Sequence, residues 1–305
     1  MASRFLHVVI SMSILSWFGV SALAQQQRFH KQMPAGNYSG ICPLGDHLYA
    51  IADDKAETDG FHVVRLDIDS VGQRIVTLDY QGYRSSGLPN RDMEGICYRP
   101  ASQTLFISGE QDNEVYEYNL DGQRTGRRLL MPDSIRLATS NCGLEGLTYD
   151  VGRHLFYATT ECPLPGETML RIMAFGDDLA LKRQYLYQPD EPISRKYTIR
   201  GVSALCALDD GRLLVLERQV RIPRMKIGAT AINRIYMVVP ADEESLQKTL
   251  LSEIKTRFNL TSRQFANYEG LCQVAPALVL LIADSQSRYK GLLRDWFRLQ
   301  PIRLK

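Results

Sequence analysis

The chain has 305 residues, of which 45% are hydrophobic and 23% are charged, so it is long enough to bury a large core. Lysine and arginine number 36 against 34 aspartate and glutamate residues, and no strong net charge attracts the chain to nucleic acid or to an anionic membrane. The sequence also lacks a basic stripe with interleaved aromatic residues, which argues against nucleic acid as a partner.

Residues 1–24 differ in composition from the rest of the chain. Arg4 precedes an almost uncharged apolar stretch, and the segment ends in the small-x-small pattern Ala-Leu-Ala at 22–24. This pattern predicts a secretory signal peptide, and therefore an exported mature chain that is periplasmic or secreted and has no membrane span after cleavage. An uncleaved membrane anchor is the alternative interpretation of the same stretch.

Five segments of the remaining chain resemble one another. Each opens with a small or acidic residue before Gly or Ala, continues through two apolar runs around a polar turn, and ends near an acidic residue. The starts of the units are separated by 55, 51, 58 and 66 residues, from Gly40 to Gly270. The segments are "NYSGICPLGDHLYAIADD" (37–54), "DMEGICYRPASQTLFISGE" (92–110), "GLEGLTYDVGRHLFYATTE" (143–161), "GVSALCALDDGRLLVLER" (201–218) and "YEGLCQVAPALVLLIAD" (268–284).

The repeat predicts an all-β protein. Two short β-prone runs around a turn form a hairpin, and further strand patterns follow in most units, at 62–69, 114–122, 169–178 and 232–240. Three or four antiparallel strands per unit favour a β-propeller of five or six blades, formed by a single domain over 25–305. The segment 242–258 has a helical pattern and is predicted to be a helical insertion. Two small β domains are the alternative architecture.

Acidic residues occupy the same two places of the repeat. The first strand of a blade lines the central channel and the second runs antiparallel to it, so the start of one and the end of the other meet at one mouth. Clustered carboxylates raise one another's pKa values or require a cation, and oxygen ligands suit Ca²⁺. The alternative role is structural, with each glutamate capping backbone N–H groups or pairing with an arginine. The candidate metal ligands are Glu94, Glu145, Glu161, Glu269 and Asp284.

Arginines accompany these acids. Arg218 follows the second strand of the fourth unit, and Arg288 follows the fifth. An arginine can hold an anionic group while a carboxylate acts as a general base. The candidate catalytic residues are therefore Glu145, Glu269, Arg218 and Arg288.

The six cysteines fall into two groups. Four of them (Cys42, Cys97, Cys206 and Cys272) lie two residues after the start of a unit. Equivalent positions in neighbouring blades lie too far apart for the Cα spacing of roughly 4.4–6.8 Å that a disulfide needs, so these four are predicted to be buried free thiols. Cys142 and Cys162 flank the two strands of one hairpin, which brings them together and predicts a disulfide.

Several of these motifs resemble one known family. "NYEGLC" with "IADSQSR", "CGLEGLTYD" with "ATTE", and "GVSALCALDDGRLLVLER" are similar to the phytase-like domain family, also described as "esterase-like activity of phytase". The resemblance extends from Asn37 to Arg298. It implies an exported bacterial β-propeller that hydrolyses phosphate or carboxylic esters. The positions that match the family's acids and base are Glu94, Glu145, Glu217, Arg218, Glu269 and Asp284.

Three functions compete at this stage. The first is a divalent-cation-dependent hydrolase of a small-molecule ester or phosphoester. The second is a non-catalytic propeller that binds a glycan, a peptide or a protein partner at the mouth, and the third is a lactonase-like enzyme. The few basic residues expected at the mouth argue against an inositol phosphate as substrate, and we expect a monomer.

Overall fold

The computed structural model of the chain describes residues 26–29, 31–224, 227–261 and 263–304. Its strands form five antiparallel sheets arranged as the blades of a β-propeller, which confirms the predicted fold and fixes the number of blades at five. The predicted signal peptide lies outside the described residues. No described helix is both long enough and apolar enough to span a bilayer.

The first three blades are meanders in which each strand pairs with the next. The strands are numbered in chain order after a short N-terminal strand, β1 (Gln26–Arg28). Blade 1 consists of β2 (Tyr38–Gly45), β3 (Leu48–Asp53), β4 (Thr58–Asp69) and β5 (Arg74–Pro89). Blade 2 consists of β6 (Met93–Arg99), β7 (Thr104–Gly109), β8 (Glu114–Tyr118) and β9 (Arg124–Arg128). Blade 3 begins with β10 (Leu144–Asp150), β11 (Leu155–Thr160), β12 (Leu170–Gly176) and β13 (Leu181–Tyr187).

The last two blades include strands from distant parts of the chain. Blade 4 contains β14 (Ile199–Ala207), β15 (Leu213–Arg221) and β16 (Thr230–Val238). The short strand β17 (Ser245–Leu246) then leaves this blade and pairs in parallel with β13, and β18 (Lys248–Arg257) returns to complete blade 4. Blade 5 contains β19 (Asn267–Ala275), β20 (Leu278–Asp284) and β21 (Trp296–Pro301).

The two ends of the described chain meet in blade 5. Strand β1 pairs antiparallel with β21, with Gln26 opposite Arg298, and becomes the outermost strand of that blade. The N-terminal segment thus closes the ring by completing the fifth blade rather than by contributing to a sixth.

The prediction of a helix over 242–258 is wrong. Most of this segment forms β17 and β18, and β18 pairs with β16 from Thr230–Arg257 to Val238–Lys248. Without β18, the outer edge of β16 would leave a row of backbone N–H and C=O groups unpaired, and pairing them outweighs the helical spacing of the side chains. The long interval between the fourth and fifth units therefore supplies an outer strand and a link to blade 3.

The blades pack tightly around the channel because the inner strands carry glycine. A Cβ atom on Gly40 would lie 2.4 Å from the Glu94 carbonyl oxygen, and one on Gly95 would lie 2.4 Å from the Glu145 carbonyl oxygen. Any larger residue would push neighbouring inner strands apart, so glycine sets their close approach. At this level the channel narrows to a cavity of about 10 Å³. The main apolar core lies between adjacent blades, as in the cluster of Ile41, Leu280 and Phe297 between blades 5 and 1.

Candidate functional site

The candidate site begins at irregularities in the inner strands. Each inner strand loses register with its neighbour at its start, for example between Leu144 and Gly146 and between Tyr268 and Gly270. A β-bulge of this kind re-aims the extra side chain, which here is Glu145 or Glu269. Glu94 lies in the corresponding irregularity of blade 2. All three glutamates are buried.

Blades 1 and 4 have serine at the corresponding bulge. Ser39 donates its hydroxyl to the Met93 carbonyl oxygen at 2.6 Å, and Ser203 donates to the Tyr268 carbonyl oxygen at 3.2 Å. These two side chains therefore bind the backbone of a neighbouring blade, which leaves glutamates from only three blades at the mouth.

Arg218, at the far end of the second strand of blade 4, neutralises part of the cluster. Its Nη2 atom lies 2.9 Å from Glu161 Oε1 and 3.5 Å from Glu145 Oε1, and its Nη1 atom contacts Glu269. Burial lowers the pKa of the guanidinium, but Glu161 and Glu145 raise it by more, so Arg218 remains charged. Because its donors face these glutamates, Arg218 holds three blades together rather than offering a free cation to an anionic substrate.

Six acids at the mouth, including two that contact Arg218, form two groups of three. In each group one oxygen from every carboxylate lies within 4.8 Å of the others: Asp54, Asp92 and Glu94 in the first, and Glu110, Glu145 and Glu161 in the second. A hydrogen bond between the side chains of Glu94 and Glu145 joins the two groups. Carboxylate oxygens at this spacing are a donor set that suits a hard divalent cation such as Ca²⁺.

The protonation of this cluster reflects its burial. Burial and the neighbouring Glu145 raise the pKa of Glu94 well above its ordinary value. Burial also raises the pKa of Glu145, against the lowering effect of Arg218. Two carboxyl groups buried at close range repel each other when both are ionised, so the ionised pair requires a counter-charge.

Within the cluster, Asp54 has a buried carboxylate oxygen without a hydrogen-bond partner among the described residues. Its Oδ1 atom is buried and has no hydrogen-bond partner among the described residues, while its Oδ2 atom lies 3.5 Å from Lys55 Nζ. Burial and the negative charge of Asp284 raise the pKa of Asp54 to about 7. An orphaned buried carboxylate oxygen next to Asp92 and Glu94 is an observation of this structure that fits a bound cation.

Three cavities reach this cluster from outside. One of about 460 Å³ is lined by Asp54, Asp92 and Glu110. A second of about 470 Å³ is lined by Glu161 and Arg218. A third of about 210 Å³ includes Asp284 in its wall. Glu161 and Asp284 are buried and the other three acids are half-buried, and all five border spaces that a small molecule can enter. Glu94, Glu145 and Glu269 line none of these three cavities.

Other predicted site residues have different surroundings. Asp284 is buried and accepts hydrogen bonds from the backbone and side chain of Gln286. Arg288 does not contact the acid cluster: its guanidinium donates to Asp295 at 2.6 Å and to the Met33 carbonyl oxygen at 2.7 Å, because the chain turns away after β20.

Glu217 lies on the opposite face of β15 from Arg218. It accepts hydrogen bonds from Lys248 Nζ at 2.6 Å and from the Asp190 N–H at 2.9 Å, and it also contacts the Tyr187 hydroxyl. This residue therefore belongs to a polar network between blades 3 and 4, because successive side chains of a strand point to opposite faces.

The cysteines also have two distinct environments. Cys142 and Cys162 form a disulfide with a Cα–Cα distance of 5.1 Å, next to Glu161 at the mouth. The four cysteines at equivalent positions are free and buried and line a cavity of about 440 Å³ in the channel beyond the narrow level: Cys42, Cys97, Cys206 and Cys272.

Three acids of the two triads are absent from the ligands predicted from sequence. Asp54 and Glu110 end units of the repeat, one residue after β3 and β7 respectively, so the repeat itself was the signal that could have identified them. Asp92 precedes the repeat's glutamate by two residues and has no counterpart elsewhere, so only the fold reveals its contact with Lys55 and the first triad.

These features define a class: a five-bladed β-propeller with a cluster of buried and half-buried carboxylates at one mouth of its channel, held together by an arginine from blade 4. The chain belongs to the phytase-like family, whose model, described as "Esterase-like activity of phytase", matches residues 33–285. The matched range includes all the acids of the cluster. No curated protein gives a significant match.

Several solved structures are similar over most of their length. A luciferin-regenerating enzyme has a TM-score of 0.49 at 10% identity, with 92% of this chain and 97% of that chain covered. A chain of a nidogen/laminin complex has a TM-score of 0.47 at 14% identity, with 86% and 83% covered. The PQQ-bound aldose sugar dehydrogenase from Streptomyces coelicolor has a TM-score of 0.44 at 10% identity, with 92% and 99% covered. At this level of similarity, nothing about the activity of this chain follows from them.

Proposed function

We propose that this protein is a divalent-cation-dependent hydrolase of carboxylic or phosphoric esters that acts at the mouth of the propeller channel. The observation that supports it is the pair of carboxylate triads joined by the Glu94–Glu145 hydrogen bond. Arg218 and Lys55 are the cations bonded to the cluster among the described residues, and they leave an excess of acids beside cavities open to small molecules. A cation balances that excess, and Ca²⁺ is the ion that its all-oxygen donor set suits best.

The two triads would hold the cation, with Glu145 and Glu161 supplied by blade 3 and Glu94 by blade 2. When bound, the ion supplies polarisation of the ester and of the attacking water. The chain's own part is to hold these carboxylates in place, and Arg218 does so by bridging blades 3, 4 and 5.

Glu269 is the proposed general base. Its Oε1 atom accepts a hydrogen bond from Asn267 Nδ2 at 2.8 Å and contacts Arg218, so its orientation is fixed from two sides. Water adds to the carbonyl carbon or to phosphorus while Glu269 takes one of its protons. The bond to the leaving oxygen then breaks, and Glu269 gives that proton to the leaving oxygen, so that the alcohol and the acid are released and the carboxylate is regenerated. For a phosphoester, the exposed Arg200 in the wall of the cavity beside Glu161 is placed to contact the anionic group.

The test compares p-nitrophenyl acetate and p-nitrophenyl phosphate turnover with EDTA and with added Ca²⁺. Turnover should require the cation, and Ca²⁺ should raise the melting temperature. Glu145→Gln keeps the shape of the side chain and should abolish both effects, whereas Glu243→Gln, at an exposed position, should change neither. Absence of turnover on both substrates in the presence of Ca²⁺ would refute the hydrolase.

A non-catalytic binding function is the second candidate. It is favoured by the three glutamates that pair with Arg218, because such pairs also serve a purely structural purpose. A melting temperature that does not respond to Ca²⁺, together with an unchanged response in Glu145→Gln, would support this alternative.

A further inference from the structure

An apolar pocket lies beside the carboxylate cluster, between blades 4 and 5. Its cavity measures about 210 Å³, and its walls include Ile199, Phe258, Phe265 and Leu293. Phe258 and Phe265 belong to a small hydrophobic cluster separate from the main contacts between blades. Ile199 and Leu292 on the wall are exposed despite being large and apolar. Exposed apolar side chains around a concave surface are a feature of ligand-binding pockets.

The polar end of this pocket connects it to the candidate site. Asn267 lines the pocket, and its Nδ2 atom donates to Glu269 Oε1 at 2.8 Å. Asp284 also lines the pocket, at the end of β20. Glu269 itself does not line the pocket, and Asn267 is the side chain that links the two. A molecule whose reacting group is at Glu269 would therefore extend past Asn267 into the apolar cavity.

The charge of the lining restricts what the pocket can hold. Among the described residues that line it there is no lysine or arginine, and the one ionisable acid is Asp284. A phosphate group there would lose its hydration without gaining a cation or a ring of donors. An uncharged apolar group instead gains free energy from leaving water.

The volume sets the size of that group. A protein cavity of about 150 Å³ lined by apolar side chains binds benzene. A cavity of about 210 Å³ is accordingly large enough for a phenyl ring with a short linker or for a chain of about six to eight carbons.

We propose that this pocket is the acyl subsite of the hydrolase and takes the short, uncharged, apolar acyl group of a carboxylic ester whose carbonyl group lies at Glu269. This inference rests on the proposed hydrolase function and narrows it, because it selects carboxylic esters of medium acyl length over phosphoesters. Specificity then comes from the shape and polarity of the pocket beside blade 5, while the carboxylates supply the reacting end and Arg218 holds them in place.

Two measurements test the subsite separately from the chemistry. The first is calorimetric binding of hexanamide, which resembles the acyl part but is not an ester. The second is kcat/KM for p-nitrophenyl acetate, hexanoate and dodecanoate in the presence of Ca²⁺. Each methylene buried in the pocket contributes up to roughly fourfold, so hexanoate should exceed acetate at least tenfold, and dodecanoate should fall below hexanoate.

Two substitutions reduce the pocket. Leu292→Trp changes its rim and Leu293→Trp its wall, and either should weaken hexanamide binding at least tenfold and bring the ratio of hexanoate to acetate turnover close to one. Leu250→Trp, on an exposed part of β18 that does not line the pocket, should leave both measurements as in the unmodified protein. The rim variant remains informative if the wall variant does not fold.

The outcomes separate this inference from the proposed function. Ester turnover with no preference for hexanoate and no binding of hexanamide would refute the subsite while the hydrolase stands. Hexanamide binding that Leu292→Trp weakens, without turnover of any ester, would refute the hydrolase while the pocket stands as a site for an apolar group. Hexanamide binding that the pocket variants leave unchanged would also overturn the assignment.

Discussion

Replacing Asp54 by asparagine should reduce the loss of stability that the protein suffers as the pH rises. Burial, with the negative charge of Asp284, raises the pKa of this carboxyl group from 3.8 to about 7, although Lys55 lies 3.5 Å away. The unfolded chain therefore releases the proton at a lower pH than the native protein does. Between these two pKa values the native state binds more protons, so its stability falls as the pH rises.

The magnitude follows from the shift. A difference of about three pKa units corresponds to about 4 kcal/mol over the full titration. Part of this loss has already occurred at pH 5, and the part that remains between pH 5 and pH 8 is about 2.5 kcal/mol. Asparagine keeps the volume of the side chain but cannot ionise, so Asp54→Asn should lose less stability over this interval by about that amount.

The assay is urea denaturation of both proteins at pH 5 and pH 8 in EDTA, with free energies of unfolding from linear extrapolation. Asp121→Asn, at an exposed position in the turn after β8, is the control and should follow the unmodified protein. Equal losses of stability in the Asp54→Asn variant and the unmodified protein would show that burial does not raise the pKa of Asp54.

The same denaturation experiment can be repeated with added Ca²⁺. A cation at the first triad binds the ionised native cluster and stabilises it by mass action, about 2.7 kcal/mol at a hundred times its Kd. Ca²⁺ should therefore restore stability to the unmodified protein more at pH 8 than at pH 5, and it should do so less in Asp54→Asn. Restoration of the same size at both pH values would contradict the coupling between ionisation and binding.

Two further predictions concern the groups around the mouth. Arg218→Met leaves Glu145, Glu161 and Glu269 without their counter-charge and should lower the free energy of unfolding by about 3–5 kcal/mol in urea, with a smaller loss at acidic pH. A loss below 1 kcal/mol would mean that the glutamates do not depend on it. Changing Cys142 and Cys162 together to serine removes a disulfide between residues 20 apart and should lower the free energy of unfolding by about 3 kcal/mol. Dithiothreitol should destabilise the unmodified protein but not this double variant.

The repeat allowed most of the fold to be predicted from sequence. The strands predicted at 62–69 and 232–240 lie within or overlap β4 (Thr58–Asp69) and β16 (Thr230–Val238), because alternating apolar residues and turn chemistry act locally. The segment 242–258 could not be assigned in the same way. Its side chains have helical spacing, and the need to pair the edge of β16 is not visible in the segment itself.

The candidate site was also only partly predictable from the sequence. The hairpin geometry placed Glu145 and Glu161 at the same end of blade 3, and the structure has them in one triad. Arg288 could not be placed from its position in the chain, because the backbone adopts a left-handed conformation from Gln286 to Lys290 and directs its side chain to Asp295.

The sequence by itself determined the unit of this protein: a hairpin that begins with a small or acidic residue and a glycine or alanine, repeated five times, with acids brought to one mouth. Periodicity and turns act over a few residues, so one chain segment is enough to specify them. The tertiary structure alone decided which acids lie next to one another, which pair with Arg218 and which border a cavity. Glu94 and Glu145 come from different blades, and they meet because glycines let the inner strands approach closely.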